Sequence, residues 1–110
     1  MKLPNFERAF VPPEKIVQYL LNENHPKGKD KAAFFSRFGF SVAEWEVMAD
    51  ALLTHAQLYE VVSQREITHG VNYSVEGALS SPDGRNPEVR VIWFIAHGSD
   101  TPTFVTAYPL

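Results

Sequence analysis

Two groups of side chains in this sequence are of types that can do chemistry. The first is "HPKGKDK", residues 25–31. Lys27, Lys29 and Lys31 can neutralise an anion, and Gly28 lets backbone come close to a ligand. His25 is the one side chain here that changes charge readily near neutral pH, so it can act as a general acid or base. A helix starting at about Lys31 would add its free amides and its dipole to the same site. The plainer reading is a solvated turn with His25 packed on Pro26. The stretch is not a P-loop, because the GxxxxGK[ST] spacing is absent and no strand leads into it.

The second group sits on predicted strands. Alternation turns Asn72, Ser74 and Glu76 away from the face that carries Tyr73 and Val75. If the registers align, Glu76, Arg90, Thr106 and Tyr108 share that outer face. A carboxylate, a guanidinium, a hydroxyl and a phenol can take a proton, hold a charged phosphorane and orient a ribose. The plainer reading is a cross-strand Glu–Arg pair beside a satisfied tyrosine.

Other chemistries find little support. His25, His55, His69 and His97 show no HxH, HxxxH or HExxH spacing, and there is no cysteine, so neither a metal site nor a disulfide is expected. No Gly-x-Ser-x-Gly or Ser-His-Asp pattern occurs. No cofactor is expected. Trp93 and the phenylalanines Phe34, Phe35 and Phe38 read as core.

The elements that must position these groups follow from periodicity. "VPPEKIVQYLLN" opens with two prolines, and Ile16, Tyr19 and Leu20 fall at helical spacing. That helix should stop near Asn22, since His25 precedes a proline. "DKAAFFSRFG" predicts a second helix capped by Asp30 and closed by Gly39. Residues 42–59 predict the longest helix, with a Ser41–Glu44 capping box and a face of Trp45, Met48, Ala49, Leu52, Ala56 and Tyr59. At Val71 the period changes to two. "VNYSVEGAL" predicts a strand, "SSPDGRNP" a hairpin connection, "EVRVIWFIA" a central strand and "TFVTAY" the last strand, ended by Pro109. The whole predicts one α+β domain over 1–110, with a helical part at about 13–60 and a sheet part at about 65–109. Three N-terminal helices should pack on one face of a three- to four-stranded antiparallel sheet and leave the other partly open.

Composition narrows the class. An apolar share of 45% and a charged share of 21% are ordinary for a soluble globular protein. No stretch approaches the ~20 apolar residues that span a bilayer. The N-terminus has no apolar core of a signal peptide. With no cysteine, these features point to the cytoplasm and to no membrane partner. Net charge is −3, unevenly spread. Residues 1–40 hold five Lys and two Arg against four acids, +3, while residues 41–110 hold three Arg against nine acids, −6. Such a split can make one positive face on an acidic protein.

"YLLNENHPKGKDKAAFFSRFGF", "YSVEGALSSPDGR", "VRVIWFI" and "FVTAYP" together resemble a small bacterial domain family of unknown function, found as stand-alone proteins and as C-terminal tips of polymorphic toxins. The resemblance spans roughly residues 14–110. That family in turn looks like a member of the barnase–EndoU–colicin–RelE ribonuclease superfamily, with N-terminal helices, a four-stranded antiparallel sheet and no metal. The resemblance implies that the two groups border one cleft. His25, Lys27 and Lys31 match the basic motif, and Arg85, Arg90, Thr106 and Tyr108 match the sheet positions. It further implies metal-independent cleavage of RNA, with His25, Arg90 and Tyr108 catalytic and Lys27, Lys31, Arg85 and Thr106 on the phosphate and nucleotide. A cognate immunity or regulatory protein is the implied protein partner. The alternative is a non-catalytic module that binds a protein through the open sheet face.

Overall fold

Residues 1–110 are described by a computed structural model. After a 3₁₀ turn at Phe6–Arg8 the chain enters α1 (Pro13–Lys15), which continues as a π-helical turn over Ile16–Leu20. α2 (Lys29–Ser36) and α3 (Trp45–Leu58) follow, then β1 (Val61–Ile67), β2 (Gly70–Ala78), β3 (Glu88–Ala96) and β4 (Thr103–Pro109). The strands form an antiparallel meander in the order β1-β2-β3-β4, so β3 is central as expected. No helix is long and apolar enough to cross a membrane.

The core forms where the helices meet one sheet face. Val75, Val89, Val91, Trp93, Phe104 and Ala107 from the strands join Ile16, Leu20, Phe35, Met48, Leu52 and Ala56 from the helices, all essentially out of solvent. Burial at ~25 cal/mol per Å² of apolar surface makes this the main stabilising layer. On the opposite face Arg90, Ile92 and Phe94 remain only half-buried.

Phe104 and Ala107 are both buried although they stand three apart. A regular strand cannot do this, because its side chains alternate. The register explains it: Trp93 pairs with Phe104 and Ile92 with Thr106, which leaves Val105 as the extra residue of a bulge. The bulge resets parity, so Thr106 and Tyr108 turn outward together.

Three boundaries differ from the sequence reading. α2 starts at Lys29 with Gly28 in the capping position, and no side chain caps it. The amides that precede it are taken by His25 instead of Asp30: the His25 carbonyl accepts from Gly28 and Lys29 N–H, and its ring accepts from Lys27 and Gly28 N–H. α3 starts at Trp45 instead of residue 42. Ser41 Oγ does accept from Glu44 N–H at 3.3 Å, but residues 41–44 form a tight turn ahead of the helix. β1 lies before the period change at Val71. It was invisible as an alternating pattern because Val62 to Ile67 are exposed on both faces of an edge strand. Its connection to β2 is Thr68–His69, which carries no turn signature.

Candidate functional site

The outer sheet face assembles first. Glu76 pairs with Arg90 across β2 and β3, and Arg90 pairs with Tyr108 across β3 and β4. The three therefore form one row, with Thr106 in the adjacent row opposite Ile92. Arg90 Nε donates to Glu76 Oε2 at 2.6 Å, and its NH2 donates to the same oxygen. Glu76 Oε1 is left without a partner. Arg90 NH1 lies 3.5 Å from the Tyr108 hydroxyl, and the guanidinium carbon lies 5.9 Å from the centre of the Tyr108 ring. The Tyr108 hydroxyl and the Glu76 carboxylate both hold the guanidinium in its charged form, above its usual range.

The basic turn is built around Tyr19. The π-helical turn brings Tyr19 to the β4 edge, where its hydroxyl shares a 2.9 Å hydrogen bond with Thr106 Oγ1. The His25 ring stands edge-on to the Tyr19 ring at 5.0 Å and 82°. Lys31 Nζ lies 5.7 Å and Lys15 Nζ 5.1 Å from the centre of the same ring. Gly28 packs on the backbone of Tyr19, where a Cβ would stand 2.3 Å from the Tyr19 carbonyl oxygen. Close approach is what glycine supplies here, and it presses the turn against the helix instead of against a ligand.

His25 Nδ1 accepts two backbone hydrogen bonds, from Lys27 N–H at 2.9 Å and Gly28 N–H at 3.0 Å. The neutral ring therefore carries its proton on Nε2, and Nε2–H is the group it can offer outward. A proton added at Nδ1 would displace both amides.

The predicted residues do not all gather. His25, Lys31 and Thr106 meet at Tyr19; Arg90 and Tyr108 stand on the neighbouring part of the same sheet face. Lys27 is exposed, and only its backbone is engaged. Arg85 stands apart. Its Nε donates to Asp83 Oδ2 at 2.6 Å, its NH2 donates to the Arg37 carbonyl at 2.6 Å, and its guanidinium lies 4.5 Å from the centre of the Phe38 ring. These contacts tie the β2–β3 loop to the C-terminal end of α2, roughly 9 Å along the helix from Lys31. Asp83 is held below the usual carboxylate range by the Arg85 backbone N–H first, then by the Arg85 side chain and Ser81.

Sequence reasoning missed Tyr19 and Lys15. Tyr19 falls on the apolar period of α1 and so reads as core, while Lys15 reads as a solvated helical residue. The signal that was available is their spacing: residues four apart on a helix face each other. No group of three His, Asp or Glu side chains is placed to hold a metal ion. The largest depression, about 420 Å³, is lined by residues such as Val17, Leu21, Phe40 and Val42 and holds none of the candidate residues.

Comparison with solved structures finds a chain of the contact-dependent growth inhibition toxin–immunity protein complex from Klebsiella pneumoniae 342, with a TM-score of 0.71 over 97% of each chain. At 14% identity this likeness is one of fold. No curated protein sequence matches. The family model of a domain of unknown function, DUF6883, matches residues 2–110. That is almost the whole chain, so the protein belongs to the DUF6883 family.

Proposed function

We propose that this chain is a toxin-type ribonuclease domain that cleaves RNA without a metal, over the open face of β3 and β4. The Tyr19–Thr106 hydrogen bond carries this reading, because it joins the basic turn to the sheet residues that could manage a phosphodiester. The 2′-oxygen attacks phosphorus as its proton passes to Glu76 Oε1. The P–O5′ bond breaks, and the 5′-oxygen takes a proton from the Tyr108 phenol. A 2′,3′-cyclic phosphate and a 5′-hydroxyl result, and water returns the proton from Glu76 to Tyr108. Arg90 holds the negative charge that develops on the phosphorane, where a charged fork donor is most effective. Lys31 and Lys27 attract the phosphate, and His25 donates Nε2–H to a phosphoryl oxygen. Thr106 lines the nucleotide, while Arg85, held by Asp83, the Arg37 carbonyl and Phe38, stays outside the cleft. A cognate protein that covers this face fits the toxin–immunity pairing named for the structural neighbour.

The test is cleavage of total RNA and of a defined oligonucleotide by purified protein in EDTA, from pH 5 to 9. Wild type should cut, and Tyr108→Phe should lose about 100- to 10,000-fold in rate, as general acid loss does. Equal cutting by wild type, Tyr108→Phe and Arg90→Ala would mark a contaminant, and abolition by EDTA would remove the metal-free mechanism.

A second reading is a protein-binding module without turnover. The observation in its favour is β1, an edge strand whose side chains from Val62 to Ile67 are all exposed. Such an edge can accept a partner strand. No RNA turnover, with a stable complex formed with a co-encoded protein, would favour it.

A further inference from the structure

Tyr19 stands at a place that helical packing alone does not require. The chain around it is a π-helical turn, Ile16–Leu20, running directly on from α1. This wider turn closes the helix, which the chain leaves at Leu21, and it sets the direction of one side chain. The side chain so aimed is half-buried, and four groups converge on it: Thr106, His25, Lys15 and Lys31.

The charges are unbalanced. The four ion pairs of the molecule join the N-terminus to Glu60, Arg8 to Asp100, Arg85 to Asp83 and Arg90 to Glu76. Neither Lys15 nor Lys31 takes part. Two ammonium groups thus sit around one ring with no carboxylate within bonding distance. An aromatic face holds an ammonium in place without neutralising it. The hydroxyls are unbalanced too. Tyr19 and Thr106 share one hydrogen bond, which uses one of their two protons, so one O–H is left to donate outward whichever of the pair is the donor.

We infer that Tyr19 and Lys15 are working residues of this site: the Lys15 and Lys31 ammonium groups and the free proton of the Tyr19–Thr106 pair together clamp one phosphate group of a single-stranded ligand. The inference rests on the ribonuclease reading for the identity of the ligand, and its chemistry is that of a phosphodiester. Cation–π contacts hold the lysines near the pose they need, so less freedom is lost when the ligand arrives. Lys15 lies ten residues before the basic turn, and only the fold brings it there.

The probe is a fluorescein-labelled 2′-O-methyl RNA decamer, which has no free 2′-hydroxyl and is not cut by this chemistry. Its affinity is measured from low to moderate salt. Lys15→Gln should bind about tenfold more weakly at low salt, as loss of a charge-assisted contact does. The slope of log K against log[salt] should fall by about 0.7, the value for one phosphate contact on a single strand. The double variant Tyr19→Phe, Thr106→Val removes both hydroxyls while keeping the ring, the cation–π contacts and the His25 edge, and should bind severalfold more weakly with wild-type circular dichroism. Lys2→Gln is the control. Lys2 Nζ is occupied by the Gln57 and Leu58 carbonyls, so its removal should leave the slope unchanged.

A Lys15→Gln protein with wild-type affinity and slope overturns the clamp, even if the double variant fails to fold. If wild type cuts RNA and both variants match it in cutting and binding, the clamp falls and the ribonuclease reading stands. If wild type binds the decamer with the expected Lys15 dependence yet never cuts RNA, the clamp stands and the ribonuclease reading falls. If wild type binds neither the decamer nor inorganic phosphate, both fall.

Discussion

His25 and Gly28 look alike in sequence, as members of one basic turn, and differ in what they do. His25 folds its ring back to cap the turn, which leaves Nε2 as its only outward group. Gly28 owes its place to packing against the Tyr19 carbonyl. Gly28→Ala puts a methyl group 2.3 Å from that oxygen, and backbone cannot move aside as a flexible side chain can. Over-packing of this kind costs about 1–3 kcal/mol. Urea unfolding of Gly28→Ala should show that loss, and phosphate affinity should drop because the turn is displaced. An unchanged midpoint would mean that the turn does not rest on Tyr19. Arg90 is tested by Arg90→Lys, which keeps the charge and loses the fork. Both of its contacts to Glu76 go to one oxygen through two different nitrogens, an arrangement one ammonium does not reproduce. RNA cleavage should fall by about 100-fold, the scale for removing one fixed donor from a developing anion, and wild-type rates in the lysine variant would show that charge alone suffices.

At the scale of elements, α3 is joined to β2 through His55. The ring is buried, Nε2 lies 3.1 Å from the Gly77 carbonyl and donates to it, and Nδ1 has no partner. Burial lowers the His55 pKa below its ordinary 6.5, and the bond to Gly77 opposes that shift only in part. The unfolded chain therefore binds more protons than the folded one just below pH 6.5, so stability falls as pH drops through that value and levels off only below the folded pKa. His55→Gln can keep a donor near Gly77 and cannot titrate. Chemical unfolding midpoints at pH 7.5 and pH 5 should fall more for wild type than for His55→Gln, and equal falls would place the acid sensitivity elsewhere. The bulge at Val105 matters as much as any helix. Without it, burying both Phe104 and Ala107 would be incompatible with turning Thr106 and Tyr108 outward.

Across the whole molecule the two sheet edges are treated differently. Along β4, Phe10 N–H donates to Pro102 O, Phe104 N–H donates to Phe10 O, and Tyr19 reaches Thr106. β1 is covered only at its start, where Val61 N–H donates to the Met1 carbonyl, and its inner-facing Gln64 and Glu66 lie beside Val71 and Tyr73 in an open depression. Few buried contacts hold β1, so it should open locally at low cost. Backbone amides of 63–67 should exchange with deuterium well before those of 89–93 in the central strand. Comparable protection in native-state exchange would show that β1 is held by something more than its pairing with β2. Of the basic residues of the helical half, Lys15 and Lys31 gather at Tyr19, whose hydroxyl reaches Thr106 on β4.

Periodicity and turn chemistry were enough to determine the α+β class, the order of helices before sheet, the longest helix and the central position of β3. Those features depend on neighbours in sequence, and amphipathic spacing records them directly. The row Glu76–Arg90–Tyr108 was legible for the same reason, since a period of two assigns faces once a register is supposed. Tertiary structure alone decided the rest. β1 has no buried face and so leaves no alternation to read. The parity of β4 depends on a bulge that only the packing of Phe104 and Ala107 against the helices requires. Tyr19 and Lys15 enter the site, and Arg85 leaves it, because a π-turn brings one helix to the β4 edge while the β2–β3 loop ties back to α2. Contacts between residues 48 and 87 positions apart, such as Arg85 with Arg37 and Tyr19 with Thr106, are set by how elements pack and by no local pattern.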